Sequence, residues 1–202
     1  MAEKSGFIVP LEQWVLRTAC CQLKKWEAAG RRIVPIAVNV SQVHLMKPDI
    51  FASIMNTIRE LDFDTSLLEL EITESAMMHN EEHVITILSD LRQAGISVSM
   101  DDFGTGYSSL SYLHSLPIGC LKIDRSFVQK ITTDPDSRAI AEMIISMAKQ
   151  LRLTIVAEGV ETEEQVTLLK ELQCFNVQGF YYSRPVPAEE IMGEYVQRMT
   201  MN

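Results

Sequence analysis

The sequence predicts an α/β fold built on a parallel sheet, and three observations carry that reading. Short apolar runs rich in β-branched residues alternate with longer segments at helical spacing, six times in succession after a leading helix. The runs are near-continuous in apolar residues, as strands covered on both faces are. Polar residues stand at the C-terminal end of every run, and no Pro/Gly/Ser-rich linker or composition shift divides the 202 residues. A chain of that length makes one domain or at most two small ones. The unbroken alternation favours a single domain over residues 1–202.

The leading helix is expected over Pro10 to Ala29, where Leu11, Trp14, Val15, Ala19, Leu23 and Trp26 recur at helical spacing before Gly30. Ile33 to Val40 reads as the first strand and ends in Asn39-Val-Ser. Lys47-Pro48-Asp49 opens a helix that runs to Leu61, and Leu67 to Ile72 is the second strand. A helix over Glu81 to Ala94 is closed by Gly95. The third strand, Ile96 to Met100, then leads straight into Asp101-Asp-Phe-Gly-Thr-Gly. A short helix is expected from Tyr107 to Ser115, stopped before Pro117, and Cys120 to Ile123 is the fourth strand. Asp134-Pro135-Asp136 introduces an amphipathic helix over Ser137 to Leu151. The last two strands are Leu153 to Ala157 and Phe175 to Tyr182, with a helix between them over Thr162 to Leu172 that Thr162 caps. Pro187 to Met199 closes the series, with Glu189 and Glu190 in the first turn, where the helix dipole favours them.

Composition narrows the classes further. Hydrophobic residues make up 47% and charged residues 22%, which fits a soluble globular chain and excludes a disordered tail, a collagen or a coiled coil. No apolar run approaches the roughly 18 residues of a membrane span, and the first ten residues do not form a signal peptide. The expected location is the cytoplasm, or the cytoplasmic side of a membrane-anchored parent protein. Lys and Arg number 18 against 27 Asp and Glu, a formal net charge of −9, which argues against wrapping duplex nucleic acid. Such a chain holds a small anion when a divalent cation stands between carboxylates and phosphate. Cys20, Cys21, Cys120 and Cys174 show no CxxC spacing and read as reduced, mostly core thiols rather than a zinc site.

Two architectures fit the alternation: an open doubly wound sheet and a (β/α)₈ barrel. The first usually carries a glycine-rich phosphate loop after its first strand, and no GxGxxG or Walker sequence occurs. The strand ends instead carry Asn39, Glu71 with Glu74, Asp101 and Asp102, Lys122 and Asp124, Glu158 and Glu161, and Gln178. In a barrel these ends form one mouth, the usual place for an active site. Hard oxygen donors from several strands suit Mg²⁺, Mn²⁺ or Ca²⁺, and a pair such as Asp101–Asp102 can bridge two ions and clamp a phosphodiester. Each residue also has a plainer reading. Asn39 can simply end a strand, and Glu71 can share a solvated face with Glu69. Asp101–Asp102 can form an Asx turn, and Glu158 and Glu161 can cap the next helix. Lys122 fits these plain readings least, because a lysine inside an apolar strand is costly unless paired. His44, His79, His83 and His114 read as surface or packing residues, and the methionines as core filling.

Taken together, six segments resemble one family. They are Asn39-Val-Ser, Leu70-Glu-Ile-Thr-Glu-Ser, Asp101-Asp-Phe-Gly-Thr-Gly-Tyr-Ser-Ser-Leu, Leu121-Lys-Ile-Asp-Arg-Ser-Phe-Val, Val156-Ala-Glu-Gly-Val-Glu-Thr and Val177-Gln-Gly-Phe-Tyr-Tyr-Ser-Arg-Pro. In this order they are similar to the EAL domain family, bacterial phosphodiesterases that linearise cyclic di-GMP to pGpG with Mg²⁺ or Mn²⁺. The resemblance implies a (β/α)₈ TIM-type barrel whose first strand runs antiparallel to the rest. It makes Asn39, Glu71, Asp101, Asp102 and Glu158 metal ligands of a two-metal site. Lys122 would orient the attacking water or its phosphate, and Glu161 and Gln178 would support the second metal and its waters. Lys122, Glu158 and Glu161 are thus the catalytic candidates. Glu74 would hold the Asp-Phe-Gly-Thr-Gly loop, with Asp124 and Arg184 in supporting or substrate-side positions. The implied reaction is in-line attack of activated water on one 3′,5′ phosphodiester.

The tripeptide Glu-Ala-Leu does not occur in the sequence. In the family it precedes the segment matched by Ser5-Gly-Phe-Ile-Val-Pro-Leu-Glu-Gln-Trp. The expectation is therefore an N-terminally truncated domain with six parallel βα units, lacking one ligand glutamate and one phosphate-binding arginine. Two functions remain open: the phosphodiesterase, and a cyclic di-GMP-binding or protein-interaction module without efficient turnover. Expected partners are cyclic di-GMP, a second copy in a homodimer that covers the open strand edges, and fused sensory or GGDEF domains in a longer parent protein.

Overall fold

A computed structural model of the chain describes residues 2–78, 81–106 and 113–191. Its strands are β1 (Ile36–Val40), β2 (Leu68–Thr73), β3 (Ser97–Phe103), β4 (Cys120–Ile123), β5 (Thr154–Glu158) and β6 (Asn176–Gln178). They form one sheet in sequence order, and every neighbouring pair is parallel. Among the described residues the order never reverses and shows no switch point of the doubly wound kind; sequential parallel order is that of a barrel.

The helices are α1 (Ala2–Ser5), α2 (Ile8–Ala28), α3 (Gln42–Leu45), α4 (Ile50–Leu61), α5 (Glu81–Gln93), α6 (Arg125–Val128), α7 (Pro135–Gln150) and α8 (Glu163–Glu171). Two 3₁₀ turns, Thr65–Leu67 and Glu74–Met78, flank β2. The expected helix over Tyr107 to Ser115 falls largely on residues 107–112, outside the described residues, as do His79 and the expected closing helix beyond residue 191.

Alternation along each strand divides the sheet into two unlike faces. One face carries Val38, Val40, Leu68, Leu70, Ile72, Val98, Met100, Leu121, Ile123, Ile155 and Ala157, all buried in a single core with residues of the helices. Fully burying a Leu or Ile of this kind contributes about 1.5–3 kcal/mol. The other face carries Asn39, Glu71, Ser99, Asp101, Cys120, Lys122, Glu158 and Gln178, brought level by the register: Asn39 is paired with Glu71, Glu71 with Ser99, Ser99 with Cys120, and Glu158 with Gln178. The expectation of strands apolar on both faces is corrected here.

Three strand boundaries differ from the expected ones by more than one residue, each for a physical reason. β1 begins at Ile36, because Pro35 has no N–H to donate to a ladder. β3 runs on through Asp101 to Phe103, with a register shift between Met100 and Phe103 and Asp102 in the left-handed region at φ 54°. β6 stops at Gln178 and does not extend to Tyr182. A Cβ on Gly179 would stand 2.1 Å from the Val160 carbonyl oxygen, and the chain turns there, with Tyr181 N donating to that oxygen at 3.0 Å.

α2 also presents a different face from the one its apolar spacing suggests. Its buried stripe is Glu12, Leu16, Cys20 and Leu23, while Leu11, Trp14 and Val15 are exposed. The helix is anchored on α4 by Arg17 to Glu60 at 2.6 Å and by Lys24 to the Leu61 and Asp62 carbonyls at 2.5 and 2.9 Å.

Candidate metal-binding active site

Four of the six strands deliver side chains to one buried cluster at their C-terminal ends. Lys122 of β4 places Nζ 2.5 Å from Glu71 Oε1 of β2, 2.5 Å from Glu158 Oε1 of β5 and 3.7 Å from Asp101 Oδ1 of β3. Lys122 is 4% exposed, Glu71 8% and Asp101 9%. Burial alone would lower the Lys122 pKa. The hydrogen bonds to Glu158 and Glu71 and the charges of Glu71 and Asp101 outweigh it and hold the ammonium above its ordinary value. Glu158 is pushed up, first by burial and then by the charges of Asp101 and Glu71, against the pull of Lys122.

The bulged end of β3 gives the cluster two consecutive carboxylates. Asp101 Oδ1 accepts from Asp102 N at 3.0 Å, fixing one against the other. Oxygens of Asp101, Asp102 and Glu158 all lie within 4.8 Å of one another. Oxygens sharing a cation at 2.0–2.6 Å lie at most about 4–5 Å apart, so these three side chains are close enough to hold one metal ion. Burial and the charge of Asp101 raise the Asp102 pKa, as does a hydrogen bond with the Asp124 carboxyl. Asp124 stays low although burial works against it: Ser126, Asp102 and the charge of Arg125 all favour its ionised form. Asp124 also caps α6 by accepting from Ser126 N at 2.8 Å.

The remaining candidates divide. Asn39 is exposed at the end of β1, level with Glu71, and Gln178 is level with Glu158 on β6. Glu74 is fully buried behind the cluster, and its Oε2 accepts from Gly104 N at 3.0 Å and Gly106 N at 3.4 Å. Its carboxylate thus ties the Asp-Phe-Gly-Thr-Gly loop to the end of β2. Glu161 is engaged elsewhere: its Oε1 accepts from Gln129 Nε2 at 3.3 Å. Arg184 stacks its guanidinium 4.6 Å over the Phe180 ring. The loop from Glu158 to Glu161 turns at Gly159, whose φ is +72° and where a Cβ would stand 2.5 Å from Arg125 Cβ. Gln165 braces that loop, accepting from Glu161 N at 2.7 Å and Thr162 N at 3.1 Å while donating to the Gln129 carbonyl at 3.2 Å.

The EAL domain family model matches residues 1–185. The chain belongs to the EAL domain family. Cyclic di-GMP phosphodiesterase NbdA of Pseudomonas aeruginosa is 42% identical over 96% of this chain and 25% of its own length. Signaling protein YkoW of Bacillus subtilis is 43% identical over 94% of the chain and 24% of its own. This EAL domain thus spans about a quarter of the length of the curated relatives it matches. Among solved structures, the complex of the PaMucR phosphodiesterase with c-di-GMP superposes at a TM-score of 0.90 with 43% identity, covering 94% of this chain and 77% of that one. The EAL domain of Mycobacterium smegmatis DcpA gives 0.86 and 40%, covering 93% and 84%. The six described strands and their helices form a half-barrel of this α/β fold.

Sequence reasoning missed one buried polar pair, in the turn that follows β1. His44 is 4% exposed and its Nδ1 lies 2.8 Å from Glu12 Oε2. The signal available was Glu12 itself, an acid at the i, i+4, i+8 positions it shares with Leu16 and Cys20.

Proposed function

We propose that this EAL domain hydrolyses cyclic di-GMP to pGpG with Mg²⁺ or Mn²⁺. The observation that carries the reading is the set of four acids and one lysine gathered from β2, β3, β4 and β5. Asp101, Asp102 and Glu158, with Glu71 and Asn39, would hold the ions, which lower the pKa of water and neutralise charge on the leaving oxygen. Lys122 holds Glu71 and Glu158 in place through its two short contacts, and offers its remaining donor to the attacking water or a phosphate oxygen. Glu74 fixes the loop that carries Gly104 and Gly106. Glu161, Gln178, Asp124 and Arg184 stand as supporting or substrate-side groups. Water oxygen bonds to phosphorus, one P–O3′ bond breaks, and the 3′ oxygen leaves with a proton.

The same reading makes residues 1–202 one domain working in the cytoplasm, in a parent protein with further signalling domains and as a homodimer. Among the described residues, no helix is long and apolar enough to cross a membrane. A second reading is a cyclic di-GMP-binding module with little turnover. Chromatographic detection of pGpG after incubation with Mn²⁺, with and without chelator, tests the first reading. Nucleotide binding without pGpG supports the second, and neither binding nor product refutes both.

A further inference from the structure

The buried Glu12–His44 pair grips the turn that follows β1. Glu12 lies in the first turns of α2, 9% exposed, on a helix tied to α4 by Arg17 and Lys24. One of its oxygens, Oε1, accepts from Ser41 N at 2.8 Å. The other, Oε2, meets His44 Nδ1 at 2.8 Å. Ser41 in turn caps α3, its Oγ accepting from His44 N at 3.3 Å. A single carboxylate therefore holds both ends of the turn that follows β1, and Asn39 lies two residues before the first of those ends.

We infer that Glu12 and His44 are positioning residues that set Asn39 at the end of β1 for its place in the metal site. The inference rests on the proposed function only for what Asn39 does there; the hold on the strand end stands on geometry. Leaving two buried polar groups without partners is unfavourable, so an arrangement that satisfies Ser41 N, His44 Nδ1 and both Glu12 oxygens has little freedom to slip. β1 needs such a tether more than the inner strands, because among the described residues it pairs on one side only. Removing groups that orient a metal ligand weakens metal binding by about 10–100-fold.

The test uses the full chain with Glu12→Ala, Glu12→Gln, His44→Ala and His44→Gln. Two readouts are taken: hydrogen–deuterium exchange of a peptide spanning residues 39–46, with an α7 peptide as control, and Mn²⁺ affinity by electron paramagnetic resonance. Both alanine variants are expected to speed exchange in 39–46 with α7 unchanged, and to weaken Mn²⁺ binding by about tenfold or more. Both glutamine variants, which keep a hydrogen-bonding partner, should recover most of each. Unchanged exchange in 39–46 overturns the inference. So does faster exchange across the whole chain with Mn²⁺ affinity intact, which is the signature of a role in stability alone. If the parent chain binds no Mn²⁺, the proposed function fails, and the exchange of residues 39–46 still decides whether the pair holds the strand end.

Discussion

One ammonium among four carboxylates makes Lys122 the residue on which the cluster depends. Its Nζ is the positive charge that Glu71, Glu158 and Asp101 share. Removing one member of a buried ion cluster typically costs about 3–5 kcal/mol, because the partners stay buried and unpaired. Lys122→Met should therefore lower the urea midpoint of the metal-free protein steeply, and Mn²⁺ should restore part of the loss. An unchanged midpoint without metal would mean that the acids relax or protonate at little cost. Cysteine chemistry gives a second test at this scale. Burial pushes the thiols of Cys20 and Cys174 up to about 11 and that of Cys120 to about 12, whereas an unfolded thiol titrates near about 8.5. The native state thus keeps these protons where the unfolded state has lost them. Their contribution is complete below the unfolded value and declines as pH rises through about 9 towards 11. Denaturant melts between pH 8 and 10.5 should show that decline. Iodoacetamide at pH 8 should modify the half-buried Cys21 in the native state and the other three only on unfolding.

Single elements show how far the sequence could be read. The strand over Cys120–Ile123 lies where its short apolar run places it, and Leu68–Thr73 is one residue from expectation. Thr162 caps α8, as its position before an acidic first turn implies. These features are local: a run, a cap and a turn decide them. The misread features depend on distant neighbours. Phe180, Tyr181 and Tyr182 have strong strand propensity, yet the chain turns at Gly179 because the Val160 backbone is packed against it. Apolar residues on α2 lie on more than one side, and only packing against β1 and α4 selects the stripe that includes Glu12. The site was legible as a set of strand ends because the register of a parallel sheet makes them level. The engagement of Glu161 by Gln129 was not, since it joins residues 32 apart. A prediction follows for α8. Thr162→Ala removes a cap and should cost about 1 kcal/mol by thermal melting while leaving Mn²⁺ affinity unchanged. Gln165→Ala removes two acceptor contacts and one donor contact that brace the Glu158–Glu161 loop, so it should lower both stability and Mn²⁺ affinity. Equal behaviour of the two variants would mean that Gln165 serves the helix alone.

At the scale of the whole molecule, the described sheet has two edges, β1 and β6. An edge exposes unpaired N–H and C=O groups, and natural proteins cover or blunt such edges. Among the described residues the second one is blunted only by its length of three residues, while Phe175 beside it is 72% exposed, and Phe180, Tyr181 and Tyr182 follow it, also exposed. Closing the two edges on each other within one chain meets a steric and electrostatic barrier. About eight strands give a barrel whose interior is just filled by side chains, and six give less room. The inner face here carries Glu71, Asp101, Lys122 and Glu158, already crowded around one ammonium. Pairing between two copies relieves the edges without compressing that face. Residues 1–202 are therefore expected to run as a dimer at micromolar concentration in size-exclusion chromatography with light scattering. Phe175→Lys should shift that equilibrium toward monomer and leave the thermal melt of the domain nearly unchanged, because an exposed side chain contributes little to the core. A stable, monodisperse monomer in the parent chain at that concentration would rule out edge pairing and require that each edge be covered from within the same molecule.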